Sequence, residues 1–193
     1  MTASPGPSGT PSTDHDRVLE AADRLFYSRG IQAVGMDAVR TEAGVPLKRL
    51  YAEFPSKEHL LTEVLHRRSE IWNAGIARAA EGAETPRDRL LAVYDFLDSW
   101  FREEDFRGCG FINAYGELGA VSPAVAEISR EQKRAFQRYV ADLVVGLGAP
   151  SSLAAQLAIL AEGAQTTAAI DGSPEAARQA RAAAEVLIDA ATG

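Results

Sequence analysis

Residues 43–58, Ala43-Gly44-Val45-Pro46-Leu47-Lys48-Arg49-Leu50-Tyr51-Ala52-Glu53-Phe54-Pro55-Ser56-Lys57-Glu58, are punctuated too densely for a long helix and lack the alternation of a strand. Gly44 suits the left-handed conformation that closes one helix, Pro46 suits the opening of the next, and Pro55-Ser56 stops that one and caps a third. Only a short helix fits between these breaks. It is anchored by Val45, Leu50 and Phe54 and projects Lys48, Arg49 and Tyr51. This is helix-turn-helix spacing, in which the second helix enters a DNA major groove.

Together with Leu25-Phe26-Tyr27-Ser28-Arg29-Gly30, Asp37-Ala38-Val39 and the run Lys57-Glu58-His59-Leu60-Leu61, this segment resembles the TetR family of one-component transcriptional regulators. The resemblance covers roughly residues 14–65. It implies an all-α chain with an N-terminal three-helix helix-turn-helix domain and a C-terminal helical domain for effector binding and dimerisation. The division expected is a disordered tail at 1–13, the DNA-binding domain at 14–60 and the effector and dimerisation domain at 61–193.

Carried over residue by residue, Tyr51 and Lys57 match positions where the family contacts backbone phosphates, which fix register without reading sequence. Lys48 and Arg49 match the positions that read bases, with Arg49 the candidate for a bidentate guanine contact. Arg40 and Thr41 on the preceding helix are further backbone contacts. Three residues depart from the family pattern. Gly35 replaces a capping Thr, Pro46 replaces a Ser and removes a backbone donor, and Glu53 places a carboxylate close to where phosphates would lie.

Helical periodicity runs through the remainder. Val18, Ala22, Leu25 and Phe26 define a first helix ended at Gly30, and a second covers about 36–43. After Ser56, the residues Leu60, Leu61, Val64, Leu65, Ile71, Trp72 and Ile76 sustain one helix to about Ala80. Three later starts pair a capping hydroxyl with a proline, at Thr85-Pro86, Ser122-Pro123 and Ser173-Pro174, and Asp88 completes a capping box at the first. Helices are predicted at about 86–104, 108–118, 123–146, 151–170 and 174–190, which makes about nine in all. No alternating segments flank an Asn-Gly or Asp-Gly turn.

Charge is unevenly placed. Residues 14–68 hold nine Lys+Arg and nine Asp+Glu, whereas residues 69–193 hold eleven against eighteen, so the whole net charge of −7 lies in the C-terminal part. A neutral DNA-binding head predicts modest nonspecific affinity and reliance on two heads placed by a dimer. No secretory leader or membrane span is read from the sequence, and Cys109, the single cysteine, fits a reducing cytoplasm.

The C-terminal part offers an aromatic and polar set suited to a small-molecule effector: Phe96, Trp100, Phe111, Asn113, Tyr115, Glu117, Gln132, Phe136, Tyr139, Gln165 and Thr166. The competing reading of the aromatics is ordinary core. The last two helices are expected to supply a four-helix intersubunit bundle through Leu153, Leu157, Leu160, Ala164, Ala180, Ala184, Leu187 and Ile188; alternatively these faces close the monomer's own core. His15, His59 and His66 have no metal-ligand spacing, and no nucleophile or phosphate-loop motif is present, so neither catalysis nor a cofactor is expected. The function read from the sequence is a homodimeric regulator, a repressor released from a near-palindromic DNA operator by a small-molecule effector. Its alternatives are a helical ligand-binding or scaffolding dimer that has lost operator binding, an activator of the same fold, and a redox regulator built on Cys109.

Overall fold

The structure is a computed structural model describing residues 13–193. The tail expected at 1–13 therefore lies, but for Thr13, outside the described residues. Among those described there are nine helices and no strand: α1 (Asp14–Arg29), α2 (Met36–Ala43), α3 (Leu47–Glu53), α4 (Lys57–Ala79), α5 (Pro86–Trp100), α6 (Gly110–Leu118), α7 (Pro123–Gly146), α8 (Ser152–Asp171) and α9 (Glu175–Thr192). They form two compact units, one ending at Val64 and the other spanning Leu65–Gly193, with the division inside α4.

In the first unit α1 packs on both α2 and α3. Thr13 opens α1 with a reciprocal capping box, its side chain accepting from the Asp16 N–H while the Asp16 carboxylate accepts from the Thr13 N–H. Gly44 closes α2 at φ 65° and ψ 34°, the left-handed geometry that turns the chain sharply into α3. Pro46 stands one position earlier than the sequence suggested: it is the extended residue before α3, and Leu47 is the first helical one. Ser56 caps α4 by accepting from the His59 N–H at 3.1 Å. Val18, Ala22, Leu25, Phe26, Val39, Val45, Leu50, Phe54, Leu60 and Leu61 are all buried.

In the second unit the Thr85 capping box and the Ser122 cap both form, the latter accepting from Val125 N–H at 3.3 Å. α5 ends at Trp100, four residues before the predicted 104. Two forces stop it there. Glu103, Glu104 and Asp105 would put three carboxylates on the negative end of the helix macrodipole. The chain instead tightens through Arg102 N–H to Ser99 O and Glu103 N–H to Trp100 O, which brings Phe101 and Phe106 together at 4.7 Å between ring centres. α6 starts at Gly110 rather than 108 because Gly108, at φ 84°, turns the chain under α8: a Cβ there would meet the Ala169 methyl at 3.0 Å. α8, with Ala, Leu and Ile making up most of its length, is packed by α5, α7 and α9. Tyr94 of α5 donates its buried hydroxyl to the Leu157 carbonyl of α8 at 2.8 Å. No described helix is long and apolar enough to cross a membrane.

Candidate functional site

α3 has only seven residues and is held by a single buried side chain of its own, Leu50, with Phe54 buried just beyond its end. That leaves Leu47, Lys48, Arg49, Tyr51 and Ala52 exposed, with Tyr51 47% and Leu47 48% accessible. A two-turn helix anchored on one side and bare on the other can enter a groove about 12 Å wide without moving its support. Leu47 was not among the residues expected to face DNA. An exposed apolar side chain there is suited to a thymine methyl group.

Four arginines of this unit, Arg17, Arg24, Arg40 and Arg49, pair with carboxylates. Arg49 donates from Nε to an Asp14 oxygen at 2.9 Å, and Arg17 donates to the other oxygen of the same carboxylate. The hydrogen bond from Arg49 is the main reason the Asp14 carboxyl lies below its ordinary value, and the same bond raises Arg49. Arg40 donates from Nε to Asp37 at 2.8 Å and reaches the Thr41 hydroxyl at 3.2 Å, while Thr41 donates to the Asp37 carbonyl at 2.9 Å. Arg40 and Thr41 thus sit together on α2. The Lys57 ammonium lies 5.8 Å from the centre of the Phe26 ring, a cation–π distance, at the start of α4. Lys48 and Tyr51 project from α3 as exposed side chains. At Gly35 no side chain caps α2, so its first N–H groups lack the hydroxyl that a Thr would bring.

The second unit contains a recess of about 170 Å³ lined by Trp72, Asn73, Ile76 and Ala77 of α4 and by Ala135, Phe136 and Tyr139 of α7. Of the residues expected around an effector only Phe136 and Tyr139 line it. Phe96 and Trp100 lie behind Trp72, whose ring meets theirs edge-on at 5.2 and 5.5 Å, and Phe111 is buried. Asn113, Tyr115 and Thr166, also expected around an effector, are exposed. Asn113 donates to the Arg107 carbonyl at 3.0 Å and so braces the turn into α6, and Thr166 donates back to the Glu162 carbonyl of its own helix. Glu117 is half-buried. Gln132 and Gln165 are buried, and the Oε1 atoms of both, with Oε1 of Glu162, are the three buried side-chain atoms among the described residues that lack a hydrogen-bond partner. Cys109 is buried at the start of α6, with the Lys133 ammonium 3.4 Å from its sulfur.

Most of the side chains expected at a dimer surface are consumed by the core. Leu153, Leu157, Ala164, Ala180, Ala184 and Ile188 are buried within the second unit, and Leu160 and Leu187 are partly buried against the same core. The reason is size and phase: the monomer's own helices claim the faces that carry the larger anchors. The faces left outward on α8 and α9 carry Ala155, Ile159, Gly163 and Ile170, and Ala182 and Val186, with Ile170 79% and Val186 68% exposed.

Residues 18–64 match the family model described as bacterial regulatory proteins, tetR family. Among curated proteins, the chain is 37% identical over 93 residues to the transcriptional activator FasR of Mycolicibacterium smegmatis, covering 48% of this chain and 42% of that one. It is 39% identical over 117 residues to the transcriptional repressor KstR of Mycobacterium tuberculosis, covering 61% and 52%. The chain thus spans about half the length of the curated relatives it matches. Among solved structures, SCO4454, a regulator from Streptomyces coelicolor, superposes with a TM-score of 0.87 at 25% identity over 93% of this chain and 96% of that one.

Proposed function

The chain belongs to the TetR family of DNA-binding transcriptional regulators, and from that premise we propose that it is a homodimeric repressor released from a near-palindromic operator by a small-molecule effector. The observation that carries this reading is α3, which exposes Lys48, Arg49 and Tyr51 on a two-turn helix braced by Leu50 and Phe54. In the proposed division of labour Arg49 and Lys48 read bases, Leu47 touches a thymine methyl, and Tyr51, Lys57, Arg40 and Thr41 hold phosphates. Glu53 stays out of the interface, because phosphate repels it.

One neutral head gives little affinity, so two are needed about 34–36 Å apart, on successive turns of the duplex. The exposed faces of α8 and α9 around Ile159, Gly163, Ile170, Ala182 and Val186 are the surface proposed for the partner copy. Small residues there let helices approach closely while the larger ones interdigitate. The effector is assigned to the recess beside Trp72, Phe136 and Tyr139, whose aromatic walls favour a largely apolar molecule and whose Asn73 and Tyr139 supply polar contacts. Effector binding lowers operator affinity by favouring a state with weaker DNA contact, a coupling on the order of 1–3 kcal/mol. Repression is the sign named for KstR, and FasR is named an activator; a reporter gene downstream of the operator separates the two.

Footprinting on the DNA flanking the gene, at two salt concentrations, tests the whole reading. Two protected half-sites with strong salt dependence are expected. Protection nowhere across a genomic fragment library refutes operator binding.

A further inference from the structure

We propose that Asp14 is a positioning residue for Arg49, turning the arginine fork of α3 toward a guanine. This rests on the reading that α3 enters the groove. Asp14 lies at the first position of α1, 35 residues from Arg49 in sequence, and takes the Arg49 Nε–H at 2.9 Å. A guanidinium has five N–H donors in one plane. With Nε engaged by a carboxylate, the two terminal nitrogens remain as a parallel pair, which is the geometry that matches O6 and N7 of guanine.

The support is itself fixed. The Thr13 capping box sets the backbone at the start of α1, and the neighbouring His15 packs its ring on Phe54 at 4.7 Å and meets the Glu63 carboxylate at 3.0 Å. The residue next to Asp14 thus rests on Phe54, the buried residue that follows α3. Its charge does not oppose DNA, because Arg17 holds its second oxygen. The trio Arg17, Asp14 and Arg49 keeps one net positive charge. A carboxylate that merely competed with DNA for Arg49 would have to be stripped off in the complex, whereas a bond to Nε alone can persist while Nη1 and Nη2 contact the base.

The test is selection of duplexes from a random pool by the full chain, comparing wild type with Asp14→Ala, Asp14→Glu and Arg49→Ala. The wild type should enrich a motif containing a guanine whose preference disappears in Arg49→Ala. Asp14→Ala should weaken the preference for that same guanine by roughly three- to tenfold, a share of the full arginine–guanine discrimination. Affinity for random duplex should be unchanged or raised, and Asp14→Glu should restore part of the preference. A motif read equally well by Asp14→Ala, with tighter binding to selected and random DNA alike, overturns the proposal and makes Asp14 a competitor. Preference lost at positions that Arg49→Ala leaves intact overturns it as well. A wild type that enriches nothing refutes DNA reading itself, and this proposal with it.

Discussion

Gly75 of α4 lies so close to Phe96 of α5 that a Cβ at position 75 would sit 2.4 Å from Cε2 of the ring. The ring cannot swing clear, since Trp72 meets it edge-on at 5.2 Å and Trp100 stacks beside it at 6.1 Å. Gly75→Ala therefore overpacks the aromatic cluster and should cost about 1–3 kcal/mol, despite the gain in helix propensity. Urea denaturation should show a lower midpoint with an unchanged slope. Gly75→Ala in a Phe96→Leu background should recover much of the loss.

A second prediction concerns alkaline pH. Burial raises the Tyr94 phenol above its ordinary value of 10.0, because the phenolate would have to form in the core beside the Leu157 carbonyl. For an acid raised in the folded state, the folded chain keeps its proton while the unfolded chain loses it. Stability from this group is thus complete below pH 10 and falls above it, by up to about 1.4 kcal/mol per pH unit. Tyr94→Phe should lose about 0.5–1.5 kcal/mol at neutral pH, because the hydrogen bond goes. Its stability should then decline less steeply than wild type between pH 10 and 11, as followed by urea titration at each pH.

The partner surface gives a third. Ile159→Asp and Val186→Asp place a charge at positions 70% and 68% exposed in the single chain, so each variant should fold with a melting temperature near wild type. Each should sediment as a monomer at micromolar concentration and lose operator binding. Ile188→Asp, at a position with no exposure, should fail to fold. Dimers that persist in both surface variants would place the partner elsewhere.

Recognition supplies a fourth. Arg49→Ala should cost about 1–3 kcal/mol on the preferred base pair and leave random duplex little changed. Tyr51→Phe should weaken every duplex by a similar amount, within about 1 kcal/mol, through a lost phosphate hydrogen bond. Competition titrations on operator and random DNA distinguish these patterns, and equal losses for both variants on both DNAs contradict the division of roles.

Local chemistry made much of this fold legible in the sequence. Gly44, Ser56, Thr85 and Ser122 mark helix ends because each meets a demand that arises within a few residues: a left-handed turn or an unsatisfied N–H. The end of α5 was not legible, because helical spacing continues through Phe101 while the ring contacts of Phe101 and Phe106 depend on where the returning chain lies. At the candidate site, the exposure of Arg49 and Tyr51 followed from the anchors Leu50 and Phe54. The tie from Arg49 to Asp14 did not, since it joins residues 35 apart. The exposure of Asn113, Tyr115 and Thr166 was not legible for a related reason: composition names polar and aromatic residues but does not say which side of a helix a neighbour covers. The same blindness hid Ile159, Ile170 and Val186 behind the larger run of Leu, Ala and Ile that fills the core.

On the proposed DNA-binding reading, the pairing of Arg17, Arg24, Arg40 and Arg49 with Asp14, Glu42 and Asp37 has a consequence for the search along a chromosome. A head in which four arginines already answer its own carboxylates would displace fewer counterions from arbitrary duplex, so each nonspecific encounter would be brief. Such a head would travel by short hops through solution more than by sliding along the helix. Its occupancy of a target then depends on the number of copies in the cell, and little of that pool is sequestered by the vast excess of irrelevant sites.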